Sequence, residues 1–233
     1  MQIPLSISYI LLYQLQNIFI YLSYKILNVQ KKLGTNYPVY YLDRKLHANP
    51  AEMRQEIIKT LNNLDNEVDT ILVVMGFCGG SWENIKIDKK IVIPHVDDCI
   101  SLLLHTDDTP KINLKEQGHF YYRELNNKNN SLEAMKENLC KKLGENKGEE
   151  LFKKWFSSIK NLDIIDTGIT GIYDSYDKNH LEQVHRDSEL INAQVKHVKG
   201  SSIIIEKLFS KKWGNQFLIL EKGKILLKDD FIE

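Results

Sequence analysis

Short apolar runs alternate with longer amphipathic stretches along most of this chain. The runs at residues 70–75 and 91–93 are rich in β-branched side chains, which predicts buried strands. After Asn49 and Pro50, apolar residues recur at helical spacing to about residue 64. Asn49 suits the N-cap of this helix and Pro50 its first turn. The pattern therefore indicates strands and helices in regular succession.

The same pattern extends over the rest of the chain. It predicts further strands at residues 7–12, 37–42, 118–122, 162–165, 194–198 and 216–220. It predicts helices at residues 100–104, 132–143, 149–159 and 178–193, one after Ser201 or Ser202, and one from the first strand to about residue 28. This alternation predicts a three-layer α/β fold with a mainly parallel sheet and helices on both faces.

A polar loop near residues 123–131 lacks periodic apolar positions and predicts a boundary between two lobes. We therefore expect an atypical apolar N-terminal segment at residues 1–28, a first lobe at 29–125 and a second lobe at 126–233. A pair of pseudo-equivalent lobes around a cleft is one arrangement of this fold.

The N-terminal segment is unusual because residues 1–24 contain no charged side chain. A stretch of this length could span a bilayer, with the following lysines on the cytoplasmic side. Gln14, Gln16 and Asn17 interrupt it, and there is no basic start or small-residue cleavage site. We expect a first strand and helix here, and a membrane anchor is the alternative.

The charge balance and the cysteine count restrict the class of protein. Lys+Arg and Asp+Glu are equal at 31 each, which gives no electrostatic reason to expect nucleic-acid binding. Three cysteines do not form a secreted disulfide framework, so a cytoplasmic location is expected. Cys140 lies in a helical pattern, where a small buried apolar role is expected.

Two segments carry the candidate chemistry: residues 76–80 and residues 93–99. Each follows a predicted strand, so both would lie at the carboxyl edge of the sheet, where α/β proteins bind ligands. Thiolate, imidazole and carboxylate groups would meet there. The predicted ligands of a divalent metal, zinc or iron, are Cys78, His95, Asp98 and Cys99.

His95 and Cys99 would share one helical face if the turn between them is helical. Asp97 or Asp98 would either bind the metal or orient the imidazole. In the alternative interpretation, His95 hydrogen-bonds in the core and an aspartate caps a short helix.

A second hypothesis makes Cys78 a candidate catalytic nucleophile. The sequence at residues 76–80 has the G-x-C-x-G form of a nucleophile elbow. The base and its orienting acid would be His95 with Asp97, or His180 with Glu182, as in glutamine amidotransferases with a triad. The residues after Gly80 leave little room for the helix that normally follows such an elbow.

A third hypothesis gives the glycine-rich loops a cofactor-binding role. Gly76, Gly79 and Gly80 in one loop, and Asp166, Thr167 and Gly168 in another, would offer backbone N–H groups to an anion or phosphate. No Walker lysine and no G-x-G-x-x-G fingerprint is present, so no nucleotide can be named. Each loop could equally be an ordinary turn.

Several of these segments together resemble domain-of-unknown-function family 1638. They are Leu46-His47-Ala48-Asn49-Pro50, Gly76-Phe77-Cys78-Gly79-Gly80, Ile93-Pro94-His95-Val96-Asp97-Asp98-Cys99-Ile100 and Gly118-His119-Phe120-Tyr121-Tyr122. Members of that family commonly show L-H-x-x-P, Y-G-x-C-x-x-G, I-P-R-x-H-D-C-I-T and P-G-T-Y-Y. The resemblance spans roughly residues 35–223.

The resemblance implies a cytoplasmic α/β protein of anaerobic bacteria and methanogenic archaea. Its genes often lie beside those of corrinoid-dependent methyltransferases and corrinoid proteins. A role in one-carbon, methyl-transfer metabolism follows from it, with a corrinoid protein or a methyltransferase as partner. Similar members carry a third cysteine near the N-terminal strand, so three thiols would converge with a His–Asp pair.

This chain departs from the family pattern at the site itself. No cysteine precedes Cys78, so the third thiol is missing. His95 stands where the family has arginine, and Asp97 stands where it has histidine, whereas Asp98 and Cys99 match. The resemblance therefore implies a diverged member, which binds its metal or ligand more weakly, uses a different one or has lost the activity.

The function that these features favour is binding of a metal ion or a small cofactor through Cys78, Cys99 and Asp98, with His95 nearby. Two alternatives remain open. One is a cysteine-nucleophile enzyme of amidohydrolase or amidotransferase type. The other is a non-catalytic accessory protein of a corrinoid protein or methyltransferase.

Overall fold

A computed structural model describes residues 7–13, 18–43, 46–47, 49–107, 109–122, 131–166 and 178–231. The chain divides into two compact units. The first contains residues 1–114 and 201–233, and the second contains residues 115–200. The second unit is thus inserted into the sequence of the first, an arrangement that differs from the predicted division after residue 125.

The first unit is built on a five-stranded sheet. Its strands are β1 (Ile7–Tyr13), β2 (Val39–Leu42), β3 (Val68–Val74), β4 (Lys90–Pro94) and β8 (Phe217–Leu220). Their order across the sheet is β2-β1-β3-β4-β8. The first four run parallel, and β8 pairs with β4 in the antiparallel direction. Residues 70–74 of β3 are all buried, as expected for a strand in the middle of such a sheet.

The described part of the first unit contains four α-helices: α1 (Ile18–Leu33), α2 (Pro50–Asn62), α3 (Cys99–Leu104) and α7 (Ile203–Phe209). Helix α2 starts as its sequence predicts, because the Asn49 side chain accepts hydrogen bonds from the N–H groups of Ala51 and Glu52. Met53, Ile57 and Leu61 form its buried side.

The second unit has a three-stranded parallel sheet. Its strands, in their order across the sheet, are β5 (His119–Tyr122), β6 (Asn161–Asp166) and β7 (Gln194–Lys199). Its helices are α4 (Leu132–Leu143), α5 (Glu145–Phe156) and α6 (Lys178–Ile191). One face of the sheet and these helices share a core that contains Tyr122, Leu132, Phe152, Leu162 and Val184.

The α/β class and the mainly parallel pairing are confirmed. The three-layer arrangement stays a prediction. Cys140 is half-buried on α4 rather than fully enclosed. The first strand forms as predicted, and the helix after it continues to Leu33. Among the described residues, no helix has both the length and the apolar character needed to cross a membrane.

Candidate functional site

The loops that follow β3 and β4 lie directly against each other in the first unit. The N–H of Phe77 donates to the carbonyl of Val96 at 2.9 Å, and the N–H of Cys78 donates to the carbonyl of Asp97 at 2.7 Å. Gly76 is required at this approach, since a Cβ there would lie 2.7 Å from the Asp98 nitrogen and the Val96 oxygen. The two predicted site segments are therefore joined through their backbones.

Three successive residues after Phe77 have left-handed backbone angles, with φ of 46° at Cys78, 70° at Gly79 and 86° at Gly80. Glycine adopts this conformation at no steric cost, whereas a residue with a Cβ is disfavoured by about 1–2 kcal/mol. The backbone therefore bears strain at Cys78. Strained residues of this kind cluster at functional sites, which makes the position notable.

The two cysteine side chains meet beneath these loops. The sulfurs of Cys78 and Cys99 are 3.7 Å apart, and the two residues are only 5% and 3% exposed. This separation is far longer than the roughly 2.05 Å of a disulfide, so the pair is a dithiol in contact. The sequence prediction that these two thiols share one site agrees with this geometry.

The environment of the Cys78 thiol disfavours its ionisation. The hydrogen bond with Cys99 and burial raise the pKa of the Cys78 thiol well above its ordinary value, and the charges of Cys99 and Asp98 act in the same direction. A thiol with a raised pKa holds little thiolate at neutral pH and is a poor nucleophile. The turn at Cys78–Gly80 also lacks the helix that normally follows a nucleophile elbow.

Asp98 acts as the N-cap of α3. Its Oδ1 accepts hydrogen bonds from the N–H groups of Ile100 at 2.8 Å and Ser101 at 3.0 Å. The neighbouring Asp97 accepts a hydrogen bond from the Ser101 hydroxyl at 2.6 Å. Both aspartates therefore hold the start of the helix that carries Cys99. For Asp98 this agrees with the alternative interpretation, in which an aspartate caps a short helix.

His95 does not share a helical face with Cys99, because residues 95–98 are not helical and α3 begins only at Cys99. Its Nε2 lies 2.6 Å from the carbonyl oxygen of Asp230, to which it donates. Its ring meets the edge of Phe231 at 5.6 Å between centroids. Phe231 also stacks on Phe77 at 4.5 Å. His95 therefore links the site to the last described residues of the chain.

An open depression of about 470 Å³ lies over the joined loops. Its lining combines an aromatic ring, two glycines, three carboxylates and one ammonium group: Phe77, Gly79, Gly80, Glu83, Asp97, Asp98 and Lys228. Neither cysteine lines it, but each is preceded in sequence by a residue that does. Gly79 and Gly80 thus occupy the place expected of a ligand-binding loop.

Three residues around the depression, Arg54, Glu83 and Lys228, were not among the predicted site residues. Arg54 on α2 donates to the carbonyl of Gly80 at 2.8 Å, and its guanidinium lies 3.8 Å from the Glu83 carboxylate. Lys228 comes from the far end of the sequence. Glu83 could have been suspected because it follows the glycine loop closely, but Arg54 and Lys228 are placed only by the tertiary fold.

The remaining predicted positions lie elsewhere. Asp166 ends β6 in the second unit, and its carbonyl accepts from the Gly200 N–H. Thr167 and Gly168, and the side chain of His180, lie outside the described residues. Glu182 is exposed on α6. In the part of the chain that the structure describes, no three His, Cys, Asp or Glu side chains converge as a metal-binding group.

Comparison with known proteins matches the chain to a family model. The family model described as "Protein of unknown function (DUF1638)" matches residues 41–209. This range includes both loops of the candidate site and the whole of the second unit. No curated protein and no solved structure shows significant similarity to the chain.

Proposed function

The chain belongs to the DUF1638 family, and we propose that it binds a metal ion through the thiolates of Cys78 and Cys99. The observation that carries this proposal is the contact of two buried sulfurs at 3.7 Å beneath a strained glycine-rich loop. If Cys78 served only to pack in the core, a left-handed backbone at this position would bring no benefit, because apolar side chains pack with ordinary backbone angles.

The sulfur separation suits a shared metal. Two thiolates on one tetrahedral zinc, each with a Zn–S bond of about 2.3 Å, are about 3.8 Å apart. The observed 3.7 Å requires almost no movement of either side chain. Soft thiolate ligands favour zinc, iron or copper(I) over magnesium or calcium.

Two protein thiolates leave coordination positions for other ligands. The Oδ1 of Asp98 caps α3. Direct coordination of a metal through that oxygen would therefore require Asp98 to give up its hydrogen bonds with the N–H groups of Ile100 and Ser101. We propose that the remaining positions are filled by water or by a small molecule that enters through the depression over Gly79 and Gly80. Metal sites with open positions are the ones that act on ligands, whereas structural zinc sites are closed.

Cobalt(II) provides the test because thiolate-bound cobalt has a strong near-ultraviolet charge-transfer band. We expect the full chain, reduced and free of added tag, to give this band on titration with Co²⁺. Cys78→Ser and Cys99→Ser are each expected to abolish it and to lower the metal content of the protein as purified. Cys140→Ser is the matched control, because Cys140 lies on α4 in the other unit.

The outcomes separate cleanly. If the band persists in both serine variants, or disappears equally in Cys140→Ser, the thiol pair is not the ligand set. If no metal binds to reduced protein but a mild disulfide reagent links Cys78 to Cys99, the pair is a redox dithiol and the metal proposal is wrong.

For the cellular role we propose an association with corrinoid-dependent methyl transfer, which rests on the family resemblance of the sequence. The accessory-protein and cysteine-enzyme hypotheses compete with it. A tagged chain would be used to capture partners from a native lysate of the source organism, and a corrinoid protein would be recognised by its visible absorption. Capture that is lost in Cys78→Ser would support a metal-dependent association, and absence of a corrinoid protein or methyltransferase would contradict it.

A further inference from the structure

Helix α2 meets the glycine-rich loop of the thiol site at two points one turn apart. The ring of Pro50, at the start of the helix, packs over Gly79, where an added Cβ would lie 3.0 Å from Cγ of the proline. Four residues later, Arg54 donates from its terminal nitrogen to the Gly80 carbonyl at 2.8 Å. Residues four apart lie on one face of a helix. The same face of α2 therefore contacts both glycines that follow Cys78.

Pro50 gives this contact a fixed base. It is the last residue of the segment at 46–50, which carries part of the resemblance to the DUF1638 family but holds neither cysteine of the site. Its ring fixes φ at the first position of α2, and the Asn49 side chain caps the same turn. The helix therefore begins rigidly beside the loop, and Arg54 reaches Gly80 from a defined position.

The guanidinium of Arg54 makes its shortest polar contact with this loop. Its Nε is buried and has no hydrogen-bond partner among the described residues. Its distance to the Glu83 carboxylate is 3.8 Å, which is longer than a hydrogen bond. Hydrogen bonds from a charged donor are stronger than those between neutral groups. The bond from Arg54 to the Gly80 carbonyl therefore restrains the loop more firmly than a neutral donor would.

The loop needs such a restraint because the backbone of Cys78 is left-handed. Its φ is 46°, and the two glycines that follow also have positive φ angles. A disfavoured conformation of this kind persists only where the surrounding structure imposes it. Before the glycines, the N–H of Cys78 donates to the Asp97 carbonyl at 2.7 Å. After them, Arg54 holds the carbonyl of Gly80, so the strained segment is fixed at both ends.

We propose that Arg54 is a positioning residue of the thiol site. By holding the Gly80 carbonyl, it keeps Cys78 in the backbone conformation that places its sulfur 3.7 Å from the sulfur of Cys99. This spacing suits two thiolates on one tetrahedral metal ion. Arg54 therefore raises the affinity of the site for the metal without contacting the metal itself. This last step rests on the proposed function, whereas the hold on the loop does not depend on it.

Cobalt titration of the full, reduced chain tests the effect on the metal. Arg54→Met keeps an apolar stem and removes the donor, and we expect it to weaken cobalt binding about tenfold, as loss of a group that supports metal ligands does. Arg54→Lys should restore part of the affinity, because an ammonium group can also donate to a carbonyl. Lys59→Met is the matched control, since Lys59 is a 67% exposed cation of the same helix.

Amide hydrogen exchange in the metal-free chain tests the hold on the loop directly. The probe is the N–H of Cys78, which is bonded to the Asp97 carbonyl, and the reference is the N–H of Val73 in the buried strand β3. Arg54→Met should speed exchange at Cys78 about tenfold through local opening and leave exchange at Val73 unchanged. A general loss of stability would instead speed exchange at both positions, because buried strands exchange through global unfolding.

The outcomes distinguish this proposal from the metal site on which its last step rests. The proposal is overturned if Arg54→Met binds cobalt as tightly as the natural chain, or if Lys59→Met weakens binding equally. It is also overturned if exchange at Cys78 is unchanged in Arg54→Met, or rises together with exchange at Val73. If the natural chain itself gives no cobalt–thiolate band, the proposed metal site is wrong, and the exchange rate at Cys78 still decides whether Arg54 holds the loop.

Discussion

At the scale of single residues, the proton on Cys78 is favoured by the folded state. Its contact with Cys99 and its burial raise the pKa of the thiol well above the ordinary value, while the unfolded thiol titrates near ~8.5. Between these two pKa values the native protein binds more protons than the unfolded chain. The free energy of unfolding must therefore fall as the pH rises through this window.

This gives the first prediction. With metal removed by a chelator and thiols reduced, the unfolding free energy is expected to be insensitive to this group below pH 8. Above pH 8.5 it should decline by up to about 1.4 kcal/mol per pH unit. Urea unfolding, followed through the fluorescence of the buried Trp82, measures it. Below about pH 9.5, where tyrosines do not yet ionise, Cys78→Ser should show a shallower decline than Cys140→Ser; equal slopes in the two variants would contradict the assignment.

At the scale of elements, the site depends on how closely two loops approach each other. Gly76 meets backbone atoms of Val96 and Asp98 that belong to the next strand's loop and cannot shift independently. The glycine is therefore needed for space and not for an unusual backbone angle. Gly34 presents the opposite case, with a φ of 67° and nothing within 4 Å of an added Cβ.

The second prediction follows from this contrast. Gly76→Ala should force the loops apart, lower the unfolding free energy by about 2 kcal/mol or more and abolish the cobalt–thiolate band. Gly34→Ala should cost only about 1–2 kcal/mol, the strain of a left-handed alanine, and leave the band intact. The two variants would be compared by urea unfolding and cobalt titration. A Gly76→Ala protein with normal metal binding would show that the close approach of the loops is not required.

Local sequence predicted most elements because their signals are local. Asn49 and Pro50 start α2 through a cap and a fixed φ angle, and both act within one turn. The pairing of Cys78 with Cys99 was predictable because each follows a strand and β3 and β4 are neighbours. The position of His95 was not predictable in this way. A spacing of four residues places His95 and Cys99 on one face only in a helix, and residues 95–98 are not helical.

At the scale of the whole molecule, the decisive feature is the return of the chain to its first unit after residue 200. Strand β8 could be predicted from its apolar run. Its antiparallel pairing with β4 depends on contacts between residues far apart in sequence, which no local pattern encodes. The predicted boundary near residue 126 took the loop at 123–131 as a division, and residues 123–130 lie outside the described part. The contribution of residues 228–231 to the site was therefore hidden from sequence reasoning.

That return packs the end of the described chain against Phe77 and His95, which lie beside the thiol pair in sequence. The rings of Phe231 and Phe77 stack at 4.5 Å, and the carbonyl of Asp230 accepts the His95 Nε2–H at 2.6 Å. Both contacts join the last turn of the described chain, Lys228–Phe231, to loops that carry a site cysteine or precede one. Because the Phe231 side chain is 7% exposed, its removal opens space beside Phe77.

The third prediction is that Phe231→Ala exposes the thiol pair without abolishing its ligand chemistry. In a Cys140→Ser background, the rate at which iodoacetamide modifies the remaining thiols should rise about tenfold or more. Buried thiols react only when the structure around them opens. If the free energy of that opening falls by about 1.4 kcal/mol, the population of the open state rises tenfold. Ile225→Ala, which removes an exposed side chain shortly before this turn, should leave the rate unchanged. If the two variants react at the same rate, the C-terminal segment does not shield the thiols, and access to Cys78 and Cys99 must instead be controlled by the glycine loop itself.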